Sequence, residues 1–173
     1  TFINLEGTRP ILIEIQALVD KSMLPNPKRL TVGTDAQRLT MLLAILHRHV
    51  TFSTYDQDVF LNAVGGIKIN ETASDLAVLI AIVSSMTNQA VSSKTAIFGE
   101  VGLGGEIRPV SRGQERIKEA SKLGFKRIIV PLKNKASDIP DVEIIGVDNL
   151  RDAVKLVFGS NRVKNDEQIY PDE

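Results

Sequence analysis

The sequence predicts a single α+β domain, a mixed sheet with about four helices. Three observations carry this. Short runs rich in β-branched residues alternate with longer runs of helical period. Gly, Pro and Asn punctuate those runs at close intervals. A chain of 173 residues with 43% hydrophobic content suits one core and hardly two.

Phe2-Ile-Asn-Leu and Ile11–Val19 read as strands, with Glu6–Pro10 as the turn of a hairpin between them. Pro25-Asn-Pro-Lys-Arg29 is a stiff loop. Thr34-Asp-Ala-Gln37 has the spacing of a capping box, with Thr34 as cap, and opens a helix carrying Leu39, Leu42, Leu43 and Leu46 to about His49. A strand from Asp58 stops at Gly65-Gly66. Thr72-Ala-Ser-Asp75 opens a second helix, and residues 76–83 leave it no polar face, so it must be central. Thr95–Val101 is a strand, Gly102-Leu-Gly-Gly105 a tight turn, and Arg112–Leu123 an amphipathic helix closed by Gly124. A strand at Arg127–Val130, a short helix after Asn134, a strand at Val142–Val147 and a helix at Leu150–Phe158 complete the domain, residues 1–158. Residues 159–173 are expected to form a polar tail, disordered or foreign to the domain. Opening at Thr1 inside a strand, the chain is expected to be a piece of a longer protein.

Composition excludes several classes. The sequence has no cysteine, hence no disulfide framework, no thiolate zinc site and no cysteine nucleophile. No apolar run reaches the ~18 residues of a membrane-spanning helix, and no signal peptide opens the chain. Gly-x-x-x-x-Gly-Lys-Ser/Thr is absent, so ATP is not bound by that route. His47 and His49, two apart on a helix, point to different sides and cannot share a metal. Lys and Arg total 21, as do Asp and Glu, which argues against a uniformly basic surface. A local one remains: residues 108–127 hold Arg108, Arg112, Arg116, Lys118, Lys122, Lys126 and Arg127 against only Glu115 and Glu119. With Ile117, Ala120 and Leu123 facing inward, the cations read either as an ordinary solvated helix face or as a phosphate-contacting surface. Lys28, Arg29, Arg38 and Arg48 extend that surface if the fold brings them alongside.

The block Gly99-Glu-Val-Gly-Leu-Gly-Gly-Glu-Ile-Arg-Pro-Val110 resembles the Gly-Glu-(x)2-Leu-x-Gly-x-(x)2-Pro-(Val/Ile) signature of Lon proteolytic domains, which implies a fold of the ribosomal S5 domain 2 type. In Lon that signature leads into Gly-Gly-(Leu/Ile)-Lys-Glu-Lys, whose first Lys is the base of a Ser–Lys dyad. Here the same position holds Gln114, and an amide has no basic lone pair in the useful pH range. Ungapped, the nucleophile position falls on Ala73; Ser74 lies one place and about 100° of helix away. The resemblance thus implies a Lon-like fold without peptidase activity, the alternative being a displaced dyad such as Ser74 with Lys118.

Leu5-Glu-Gly-Thr-Arg-Pro, Glu14-Ile-Gln-Ala-Leu-Val, Pro25-Asn-Pro-Lys-Arg, Asp56-Gln-Asp-Val-Phe and Val64-Gly-Gly are similar to the C-terminal domain of the bacterial RadA (Sms) family. Members join a zinc finger and a RecA-like ATPase to this domain and act as ring-shaped, ATP-driven branch-migration helicases in homologous recombination and DNA repair. The resemblance implies ATP, Mg and Zn in the full-length family but no cofactor in this chain. It further implies a cytoplasmic, nucleoid-associated setting, DNA as partner, recombinase partners through the whole protein, and a hexameric ring for which this domain is a scaffold. Pure oligomerisation without DNA contact is the rival reading.

Overall fold

The computed structural model describes residues 1–6, 9–135 and 137–159. The polar-tail prediction therefore lies outside the described residues from Ser160 onward, as does the centre of the first turn. The chain runs through β1 (Phe2–Glu6), β2 (Arg9–Ile13), β3 (Ile15–Lys21), β4 (Arg29–Val32), α1 (Ala36–Val50) and β5 (Gln57–Ala63). A 3₁₀ turn (Thr72–Ser74) leads into α2 (Asp75–Thr87), followed by β6 (Thr95–Ile97), β7 (Glu100–Val101), β8 (Ile107–Arg108) and α3 (Gly113–Lys122). β9 (Arg127–Pro131), a second 3₁₀ turn (Leu132–Asn134), β10 (Glu143–Val147) and α4 (Leu150–Phe158) complete it. The predicted α+β class with four α-helices is what the described residues form.

Two mixed sheets share the core. The larger has the order β10-β9-β6-β1-β2, parallel from β10 to β1 and closed by the antiparallel β1–β2 hairpin. The smaller has the order β3-β5-β4, antiparallel then parallel. α2 lies against β3 and touches α1 and α4. Its Leu76, Leu79, Ile82 and Val83 are wholly buried, as a helix without a polar face requires.

Four boundaries differ from expectation. The predicted strand Ile11–Val19 is two strands, which part at Glu14 and join different sheets. Its alternation keeps one phase through the break, so period alone cannot mark it. Thr95–Val101 likewise divides at Gly99, whose φ of 157° and close approach to Ile107 Cγ2 (3.1 Å from an added Cβ) turn the chain out of the large sheet into the β7–β8 hairpin. The cap of α1 is Asp35, which accepts from Arg38 N at 2.8 Å, not Thr34, whose hydroxyl is buried without a partner. Asp serves as well as Thr there, and the helix starts one residue later. The short helix placed after Asn134 ends there instead. Asn134 is an anchor, accepting from Val110 N (2.8 Å) and donating to Val110 O (3.1 Å).

Candidate functional site

The positions corresponding to a Ser–Lys dyad lie on two elements, the turn before α2 and the first turn of α3. Ala73 is buried, its carbonyl accepting from Gly99 N at 2.8 Å. Gln114 is exposed and donates through Nε2 to Asn134 O at 2.9 Å. Between these elements sits a group that sequence reasoning placed in solvent. Arg116 is 0% exposed. Its guanidinium is bidentate to Glu71 (2.8 and 2.7 Å), donates to Ile3 O at 2.6 Å and through Nε to Ser111 O at 3.1 Å, and stands 5.7 Å from the centre of the Phe98 ring. It ties α3, β1 and the approach to α2 together.

The error was one of phase. The buried stripe of α3 is Gly113, Arg116, Ile117 and Ala120, whereas Leu123 is 53% exposed. The spacing i, i+3, i+4, i+7 was present in the sequence, with an arginine on it. A second internal pair holds the start of α2. Asp75 is 1% exposed; its carboxylate takes Arg38 Nε at 3.1 Å, the Nη2 of the same side chain, and Val101 N at 3.0 Å. Burial, outweighing the Arg38 and Val101 bonds, holds the Asp75 carboxyl above the usual aspartate range. The bond to Asp75 in turn raises the Arg38 guanidinium.

Of the candidate phosphate-binding cations only Arg116 is withdrawn from solvent; the others differ in how they are engaged. Arg116 is sealed in the core and cannot meet DNA. Arg38 spends its donors on Asp75 and on Val101 O (3.1 Å). Arg29 spends its donors on main-chain carbonyls of Thr54 (2.6 Å), Gln57 and Lys28. Arg108 pairs with Glu106 (2.8 Å) and Glu100 (3.7 Å), Arg112 with Glu115 (3.8 Å), and Arg127 with Glu143 (3.6 Å). Lys28, Arg48, Lys118, Lys122 and Lys126 are exposed, and among the described residues they form no ion pair.

The displaced dyad finds no geometry either. Ser74 is 7% exposed and its hydroxyl donates to Glu71 O at 3.1 Å. Lys118 follows the inward-facing Arg116 by two residues, about 200° around the helix, and is exposed on the far side. Among the described residues no group of three or more His, Cys, Asp or Glu could hold a metal ion, and no helix is long and apolar enough to cross a membrane.

Two mixed sheets around a buried apolar helix define a Lon-like domain of the ChlI class, and residues 36–134 match the family described as subunit ChlI of Mg-chelatase. Similarity along nearly the whole chain narrows this. The chain is 56% identical over 154 residues to DNA repair protein RadA of Pseudomonas aeruginosa, covering 88% of this chain and 34% of that protein. It is 55% identical over 152 residues to DNA repair protein RadA of Escherichia coli (87% and 33%) and 43% identical over 158 residues to that of Bacillus subtilis (90% and 34%). The chain belongs to the RadA family, as its ChlI-like segment, and spans about a third of the length of these relatives.

Proposed function

We propose that this chain is the proteolytically silent, Lon-like part of a RadA-type ATP-dependent branch-migration helicase of homologous recombination and DNA repair. In that setting it is a scaffold of a hexameric ring and a DNA-contacting surface, in the bacterial cytoplasm at the nucleoid. ATP, magnesium and zinc, and the recombinase partners, belong to the whole protein rather than to this segment. One observation carries the silent reading: the dyad positions hold a methyl and an amide, Ala73 and Gln114, and neither can attack a carbonyl or take its proton. The buried Arg116–Glu71 pair beside them makes the region structural. The scaffold reading is supported by the outer face of β3-β5-β4. There Leu18, Phe60 and Leu30 stand in one row across the sheet, and Leu18, Leu30 and Val32 are each more than half exposed.

The DNA reading rests on Lys118, Lys122 and Lys126, the cations of α3 and the loop after it that form no ion pair among the described residues. It is tested by fluorescence anisotropy of labelled DNA against a salt series. The chain is expected to bind weakly, with affinity falling steeply with salt. The triple variant K118E/K122E/K126E should flatten that dependence by roughly 0.7–0.9 in log–log slope for each phosphate no longer neutralised. No binding at low salt, or a triple variant indistinguishable from the parent, overturns the DNA role.

A further inference from the structure

Tyr55 lies in the loop between α1 and β5 and is 79% exposed, the one aromatic ring among the large apolar side chains that the described residues present to solvent. The loop beneath it is braced. Arg29 donates through Nη2 to Thr54 O at 2.6 Å and through Nη1 to Gln57 O. Gln57 N donates to Thr54 O at 3.1 Å, and Ser22 N to Asp56 O at 2.9 Å. The residues on both sides of Tyr55 are therefore held from below while its ring stays in water. Lys28, beside the bracing arginine, is exposed. An exposed aromatic ring on a braced loop, with an exposed ammonium on the residue preceding the bracing arginine, offers the two kinds of group that single-stranded nucleic acid uses, one for a base and one for a phosphate.

We propose that Tyr55 is a stacking platform for an unpaired base, with Lys28 on the neighbouring phosphate; this rests on the DNA-contact reading above and gives it a strand preference. Duplex bases are already stacked on each other and offer no free face, so the platform selects single strands. Two carboxylates bound the path of the strand. Asp58 is turned to the main-chain N–H of Lys28 (2.6 Å), and Asp56 is exposed. Both repel phosphate, and Asp58 sits against Lys28 itself, so uncharged stacking supplies the larger share of the contact.

The sequence has no tryptophan and two tyrosines, so in a Tyr170→Phe background intrinsic fluorescence reports Tyr55 alone. The probe is an oligothymidylate, compared with a duplex, with anisotropy of an end label read in parallel. Quenching of Tyr55 by the single strand and not by the duplex is expected. Tyr55→Phe should keep the affinity, whereas Tyr55→Ala should lose roughly fivefold or more at unchanged salt slope. Lys28→Gln should instead lower the slope by about 0.7. If anisotropy shows binding while Tyr55 fluorescence and the alanine variant are unaffected, the platform is refuted and the DNA-contact reading stands. If Tyr55→Ala changes the sedimentation of the chain and not its DNA affinity, the ring serves a protein contact and the proposal falls. If the parent chain binds no DNA at all, both fall together.

Discussion

Arg116→Ala separates the two roles that a basic residue on α3 can have. The side chain is wholly buried and makes four short polar contacts, to Glu71 twice, to Ile3 O and to Ser111 O. Breaking a buried ion pair by removing one partner costs about 3–5 kcal/mol. Glu71 retains 25% exposure, so water can replace part of what it loses, which moves that term toward the lower end. The two carbonyls left short of a donor and the space vacated over Phe98 are part of that truncation cost, not additions to it, and keep it from falling below the range. The expected loss is about 3–5 kcal/mol, a large share of the ~5–15 kcal/mol that holds a domain together. Read by urea denaturation with a slope near ~2 kcal/mol per molar, the midpoint should fall by about 1.5–2.5 M. Lys118→Ala, on the exposed side of the same helix, should change stability by less than about 0.5 kcal/mol. Arg116→Lys should not rescue, because a point charge cannot make the forked contact to Glu71. A double-mutant cycle with Glu71→Gln should return a coupling above ~1 kcal/mol. If Arg116→Ala and Lys118→Ala prove equally mild, the side chain is solvated and the internal-anchor argument is wrong.

Gly113→Ala would place a methyl 2.6 Å from Asn134 Nδ2 and 2.9 Å from its Cγ, dislodging the side chain that bridges to Val110 on both its N–H and its C=O. A loss of about 1–3 kcal/mol in thermal or urea unfolding is expected, and an unchanged midpoint would mean that Asn134 has another seat. Asp75 gives a pH signature. Its carboxyl is held high chiefly by burial, so the folded state binds its proton more tightly than the unfolded chain does. The stability it contributes is complete below the ordinary aspartate value of 3.8 and is lost as pH rises through the raised one. Asp75→Asn should remove that downward slope from the stability–pH curve; an identical curve in parent and variant would show that Arg38 fully compensates the burial.

What was legible in the sequence was whatever local chemistry decides. The helix over residues 72–86 could be seen to be central because nothing between Leu76 and Val83 can face water. The Gly102–Gly105 turn and the stop at Gly124 declared themselves through glycine. The proposal of a vacated dyad likewise rests on residue types alone, Ala73 and Gln114. Boundaries between sheets were not, because Ile13, Ile15 and Val19 keep a single alternation while the chain leaves one sheet for another. β4 was missed for a related reason: Arg29-Leu-Thr-Val is four residues long with two of them exposed, too short and too polar to stand out from the loop before it.

The pairing of the candidate cations was not legible where partners are distant in sequence. Arg116 and Glu71 are 45 residues apart, and Arg38 and Asp75 are 37 apart. Counting charges along residues 108–127 set seven cations against Glu115 and Glu119, but in space Glu71, Glu100, Glu106 and Glu143 also answer those cations. The arginines are the ones consumed, as their planar, many-donor heads suit buried and bidentate pairing, while the lysines stay in water. This bounds the proposed DNA surface on α3. With Lys118, Lys122 and Lys126 as its available cations, a single copy can neutralise about three phosphates there. Under the proposed DNA-contact reading, about three phosphates per copy would make repetition of the domain around one DNA, rather than any one residue in it, the source of affinity.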